Sequence, residues 1–260
     1  MKRAAVALLV VTAALAGCVS SNNVSTSNRK TLGKPDNERA AEINLQIGTD
    51  YLRKNNLVQA KEKIDRAVEQ NPRNAQAQTT AGMLYERLGE SNKAEAYFAK
   101  GLSLDPKNPE LQNNYGAFLC QKGKYERGAK LMIDAASNPL YRTPEVAYLN
   151  AANCARNGGD MKAAEANLRS ALKVRPKFGE ALIQMADLQY KQTDYLSARG
   201  FLERYQEVGR TNAASLWLGV RIERGLGNEA AAKNYAERLK LEYPRAAQTK
   251  ELIESERNPG

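Results

Sequence analysis

Among its 260 residues the sequence has no histidine. That removes the commonest general base and the commonest metal ligand together. Three cysteines, Cys18, Cys120 and Cys154, are too few and too scattered to build a zinc site unaided. Aromatic residues are scarce, at 7%. The apolar run Ala4 to Ala14 falls well short of the ~20 residues that a helix needs to span a bilayer. No Ser/His/Asp, Cys/His, metal or phosphate-loop arrangement is present, so enzymatic readings have no chemistry to start from, and no cofactor is expected. Isolated carboxylates such as Glu180 and Asp187 read as parts of a solvated helix face.

What the chain has in quantity is Ala, Leu, Lys, Glu, Asn and Arg, a mixture that favours helix nearly throughout and predicts an all-α fold. The formal net charge is +10, yet the basic residues are spread among acids instead of forming runs. This reads as a mildly basic helical surface, and no nucleic-acid partner is expected.

At the N-terminus, Lys2-Arg3 precedes the apolar stretch, and Leu15-Ala16-Gly17-Cys18 follows it. Residues 1–17 read as a bacterial signal peptide. The Leu-Ala-Gly-Cys tetrapeptide resembles the lipobox of bacterial lipoproteins, which implies cleavage before Cys18 and acylation of that residue. Each buried methylene of an acyl chain contributes ~0.8 kcal/mol, so three chains make an effectively permanent anchor. Val19 stands where inner-membrane retention usually requires Asp, which points to the outer membrane. Residues 18–38 are polar, carry Gly33 and Pro35, and read as a flexible lipidated tether with a reach of about 25 Å.

Residues 39–260 read as one repeat domain. Gly48, Tyr51, Ala60, Ala67 and Pro72 recur at a period of 34 as Gly82, Tyr85, Ala94, Gly101 and Pro106. Gly116, Leu119, Gly128 and Ala135 continue the pattern, followed by about two extra residues around Asn138 to Arg142. Ala152, Ala155, Ala164, Ala171 and Pro176 restore it. Ala186, Ala198 and Leu202 carry a fifth unit, and Leu218-Gly219, Ala232, Leu239 and Pro244 a sixth, with an apparent one-residue slip between its helices. These residues resemble the tetratricopeptide repeat, in which small residues let two antiparallel helices pack and a late proline ends the second. The resemblance implies a right-handed α-solenoid of six helix pairs over approximately 41–74, 75–108, 109–144, 145–178, 179–211 and 212–245. A polar C-terminal helix over Ala246 to Arg257 caps the stack. Gln189 stands where Tyr or Leu is usual, and Trp217 reads as core, out of register.

Solenoids of this kind take partner peptides mainly on the surface made by their first helices. The family's inward positions fall on Leu45, Thr49 and Leu52, then Thr79, Met83 and Glu86, then Asn113, Ala117 and Gln121, then Leu149, Asn153 and Asn157. The early positions are apolar and suit an apolar ligand side chain; the later amides can bond a peptide backbone. The competing reading is that these are exposed positions with no ligand. The Lys/Asn constellation that clamps a terminal carboxylate in some relatives is not assembled, so chaperone tails are not expected clients.

Cys120 and Cys154 are 34 residues apart, near the same depth in the first helices of repeats three and four. Neighbouring helices lie about 8 to 10 Å apart, close enough for inward side chains to form a bridge in an oxidising compartment. Two small buried thiols, where Ala would serve, are the alternative.

The stretch Asn113-Asn114-Tyr115-Gly116, with Phe118-Leu119-Cys120, Gly123 and Tyr125, then Pro139, Tyr141, Asn150 and Cys154, resembles the type IV pilus biogenesis/stability protein family PilW/PilF. The resemblance implies an outer-membrane lipoprotein facing the periplasm, monomeric, with a pilotin-like role: helping subunits of the pilus secretin reach the outer membrane and multimerise. Composition and period by themselves support only a tethered scaffold, and a general scaffold for other outer-membrane or cell-envelope complexes is the alternative.

Overall fold

The computed structural model describes residues 37–209 and 211–257; the signal peptide, Cys18 and nearly all of the tether lie outside them. The described residues form thirteen helices and no strand. In chain order these are α1 (Asn37–Arg53), α2 (Leu57–Gln70), α3 (Ala75–Arg87), α4 (Ser91–Leu104), α5 (Pro109–Gln121), α6 (Tyr125–Ala136) and α7 (Pro144–Asn157). They continue as α8 (Met161–Val174), α9 (Gly179–Lys191), α10 (Tyr195–Val208), α11 (Ala213–Gly225), α12 (Glu229–Glu242) and α13 (Ala247–Arg257). Helix α1 starts at Asn37, inside the segment read as tether. Each odd-numbered helix from α1 to α11 folds back on the next even-numbered one, and successive pairs stack. The polar α13 closes the end, burying Leu252 against Leu216, Val220 and Leu239 of α11 and α12.

The abundant asparagine, with two of the aspartates, caps helix starts. Asn74, Asn108, Asp160, Asp194, Asn212 and Asn228 each accept a hydrogen bond from a first-turn amide, satisfying donors that the helix itself leaves unpaired. Pro109 adds a pre-set φ at the start of α5.

Turn geometry fixes the register. Every hairpin turn places one residue in the left-handed region: Asn55, Gly89, Gly123, Gly159, Thr193 and Gly227. Successive members are 34 apart except between Gly123 and Gly159, which confines the two extra residues to the third repeat and the loop before α7. Thr193 and Gly227 keep the spacing, so the slip inferred in repeat six is not an insertion. Instead Gly219 meets Tyr235, where an added Cβ would lie 2.7 Å from the ring; this pair is displaced by one residue relative to Gly82 and Phe98.

Thr193 is β-branched and has φ 62° in a position that four of the other turns give to glycine. A left-handed L-residue costs roughly 1–2 kcal/mol, more than the extra chain entropy that glycine loses on folding, so Thr193→Gly should stabilise the domain by about 1 kcal/mol. An unchanged or lowered urea midpoint would show that the turn is not strained.

Small residues set the distance within pairs. A Cβ on Gly116 would come within 2.8 Å of the Gly128 carbonyl oxygen, and one on Gly128 within 2.7 Å of the Gly116 carbonyl. The two glycines let α5 and α6 cross backbone to backbone. Aromatic rings gather beside that crossing: Phe98 of α4 packs 5.7 Å from Tyr115 and 5.0 Å from Phe118, ring centre to ring centre. Between pairs, the seam of α6 with α7 is more extensive than any other, and farther along Arg199 of α10 holds the buried carboxylate of Glu223 of α11 in a forked ion pair.

Candidate functional site

Counted from the left-handed turn residues, the face of the odd-numbered helices resolves into equivalent positions. Leu45, Thr49, Met83, Glu86, Asn113, Ala117, Leu149 and Asn153 are all partly exposed along it, with Gln121 and Asn157 exposed at helix ends. Two of the residues assigned to the groove are not available to a ligand. Leu52 is 2% exposed and belongs to the core with Ile64 and Leu84. Thr79 is 1% exposed and faces Gly101 of α4, where its Oγ1 occupies the space a Cβ on that glycine would need. The apolar start of the groove is therefore Leu45 with Met83.

The amides in the middle already have partners within the protein. Asn150 Nδ2 donates to Asn113 Oδ1 at 3.3 Å, and Asn114 Nδ2 sits 3.9 Å from the Met83 sulfur. Arg156 donates to Asn153 Oδ1 at 3.0 Å. Burial pushes the Glu86 carboxyl above its ordinary range, opposed by Lys122, a hydrogen bond with Gln121 and Arg87. Glu86 and Gln121 thus act as a polar bridge between α3 and α5.

Sequence reasoning stopped at repeat four and missed the later half of this face. Arg156, Ile183, Gln184, Asp187, Leu218 and Arg221 line a cavity of about 220 Å³ between α7, α9 and α11. Trp217 is partly buried, packs against the last core cluster and lies beneath the Arg221 guanidinium at 5.6 Å, so it is not simply core. The signal that could have found these residues is the turn position: Arg221 stands six before Gly227, as Thr49 stands six before Asn55. By the same count Arg156, three before Gly159, matches Leu52 and Glu86 where Asn157 had been placed.

Cys120 of α5 and Cys154 of α7 are joined in a disulfide, with Cα atoms 5.5 Å apart. The two are not at equivalent repeat positions, because one lies three residues before its turn and the other five. The two-residue insertion accounts for the difference, since a pair 34 apart in sequence spans two turns that are 36 apart. Gly128 makes room, since a Cβ there would lie 3.3 Å from the Cys154 sulfur.

A larger cleft, about 820 Å³, lies by the second helices, floored by Tyr125, Ala129, Ile133 and Ala163. Both lysines that line it already have acidic partners, Lys124 with Glu95 and Lys130 with Asp134. No helix of the described residues is long and apolar enough to cross a membrane.

Antiparallel helix pairs stacked at this period, each with a left-handed turn, define a tetratricopeptide-repeat protein, and the tetratricopeptide-repeat family signatures match residues 45–109, 97–128 and 146–178. The similarity extends beyond the repeat. The chain is 29% identical over 250 residues to the type IV pilus assembly protein PilF of Pseudomonas aeruginosa, covering 96% of this chain and 97% of that one. In solved structures, P. aeruginosa PilF superposes with a TM-score of 0.72 at 26% identity, covering 84% of this chain and 99% of that one. PilW, a widely conserved type IV pilus biogenesis factor, does so at 0.70 and 29%, covering 82% and 98%. The fold alone is shared with YrrB, a tetratricopeptide-repeat protein with an unusual peptide-binding site, at 0.60 and 15%, over 74% of this chain and 97% of that one.

Proposed function

We propose that this chain is a lipid-anchored scaffold of type IV pilus biogenesis that holds pilus secretin subunits beside the outer membrane while they multimerise. The observation that carries the reading is the end-to-end similarity to PilF, which includes the lengths before and after the repeats and so exceeds what a shared repeat alone would produce. Holding is a sufficient mechanism. A client already near the membrane meets a tethered groove at high effective concentration, so modest affinity at Leu45 and Met83 retains it strongly. Catalysis has no part in this scheme.

Domain limits follow from the same reading: signal peptide 1–17, acylated Cys18 at the head of a tether, then the repeat array. Cys18→Ser is expected to leave the chain unprocessed or release it into the periplasm; outer-membrane fractionation equal to the unsubstituted chain contradicts the anchor.

The function is tested by deletion. A deletion strain is expected to make normal amounts of secretin monomer but few heat-resistant multimers and few surface pili. Normal multimers and pili would sink the secretin reading and leave a general envelope scaffold as the better account. Leu45→Glu should reproduce the deletion while keeping helicity and melting near those of the unsubstituted chain; Met83 is left in place because it packs against the first core cluster. Leu52 is unsuitable for this purpose because charging a core position unfolds repeat one.

A further inference from the structure

We propose that the late half of the groove reads an acidic residue: Arg156 and Arg221 together receive the side-chain carboxylate of an Asp or Glu in an extended segment of a partner protein. This inference does not rest on the identity of the client.

Both guanidinia line one cavity, and among the described residues neither forms an ion pair. Arg156 is bonded to the neutral amide of Asn153. Arg221 is stacked, its guanidinium 4.8 Å from the Tyr190 ring centre and 5.6 Å from that of Trp217, with an enclosed Nε that has no hydrogen-bond partner. Elsewhere in the domain, Arg199 finds Glu223 and Arg175 finds Glu145 on a neighbouring helix. The acid that shares the cavity, Asp187, is engaged by Lys191 at 2.8 Å. Two planar cations with hydrogen-bond donors to spare and no acid to take them form a receptor for a carboxylate. The aromatic rings hold Arg221 in place, so little ordering entropy remains to be lost when a ligand arrives.

The rest of the lining says what surrounds the carboxylate. Ile183 and Leu218 give the cavity apolar walls. A second, more enclosed cavity of about 110 Å³ adjoins it, sharing Arg156, Gln184 and Asp187 and closed by Met161, Leu168 and Leu188. That space suits a single aliphatic side chain. A polyanion is disfavoured, because the Asp187 carboxylate forms part of the wall of both cavities. The two adjoining cavities fit two side chains of one segment, an acid between the arginines and an aliphatic neighbour beside it, so the acid proposed is a side chain rather than a chain end.

The test uses the full chain and three labelled probe peptides of one leucine-rich sequence. The first carries a central Glu between blocked ends, the second a Gln in its place, and the third that Gln with a free C-terminal carboxylate. The Glu peptide should bind about tenfold more tightly than the blocked Gln peptide, and Arg221→Gln or Arg156→Gln should each remove about that factor. Arg221→Lys, which keeps charge but loses the fork, should recover part of it. Arg156→Gln breaks no ion pair, so its loss of binding cannot be ascribed to unfolding if its melting is unchanged. Equal binding of Glu and blocked Gln peptides overturns the proposal, as does Glu-peptide binding unmoved in both Gln variants. Binding of the free-carboxylate Gln peptide as tight as that of the Glu peptide also overturns it, since the site would then read chain ends. Secretin multimers in the deletion strain do not bear on any of these outcomes.

Discussion

Gly116→Val is expected to lower the stability of the repeat domain by about 3 kcal/mol or more, although valine is the better helix former. Helix propensity favours the substitution by only a few tenths of a kcal/mol. Against that stands a Cβ 2.8 Å from the Gly128 carbonyl oxygen, a backbone atom that cannot rotate away, and 2.8 Å from Met132 Cγ. Relief requires α5 and α6 to separate, which opens the space filled by Phe98, Tyr115 and Phe118. Because each repeat is stable only against its neighbours, loosening the third should divide the array into two less cooperative blocks. A guanidinium melt that stays single, with a midpoint equal to that of the unsubstituted chain, would show that the close crossing is not needed. Gly123→Ala makes a useful contrast. Nothing lies within 4 Å of a Cβ there, and its cost is the left-handed turn alone.

Opening the disulfide ranks with it. The chain-entropy model assigns a closed loop of this length about 4 kcal/mol, and a Cys120→Ala, Cys154→Ala chain should lose roughly 3 to 4 kcal/mol. Most of that should be recovered in reverse by simple reduction: the unsubstituted chain with reductant should melt near the double variant, because Cys154 stays packed as a buried thiol. Peptide mapping after alkylation of the unfolded, unreduced chain reads the bridge directly. Label on both Cys120 and Cys154 would exclude it.

These two cases also show what the sequence carried. The close crossing was legible at Gly116, because a small residue repeated at a fixed period has few purposes other than letting helices approach. The cysteine pair was legible as a pair, but for an incomplete reason. Equal separation suggested equal depth, whereas the two-residue insertion puts the cysteines two positions apart in the repeat, and their Cα atoms still lie 5.5 Å from each other. Groove positions were legible only where side-chain direction follows the repeat. Leu52 and Thr79 occupy nominally inward positions yet pack against Ile64 and Gly101, since burial depends on which residues the neighbouring helices present. Trp217 was legible as a core contact but not as a support for Arg221, and Arg221 itself was missed because the groove positions were carried only through repeat four. Left-handed geometry at Asn55 and Thr193 carries the repeat register without glycine, and composition does not announce it.

The central claim is that the face of the odd-numbered helices holds secretin at the outer membrane, and site-specific photo-cross-linking in intact envelopes tests it most directly. A photoreactive residue placed at Met83, partly exposed on that face, should form an adduct with secretin, while one at exposed Val58 on α2 should not. Secretin captured from Val58 as readily as from Met83, or absent from Met83 adducts in cells that are assembling pili, would contradict it.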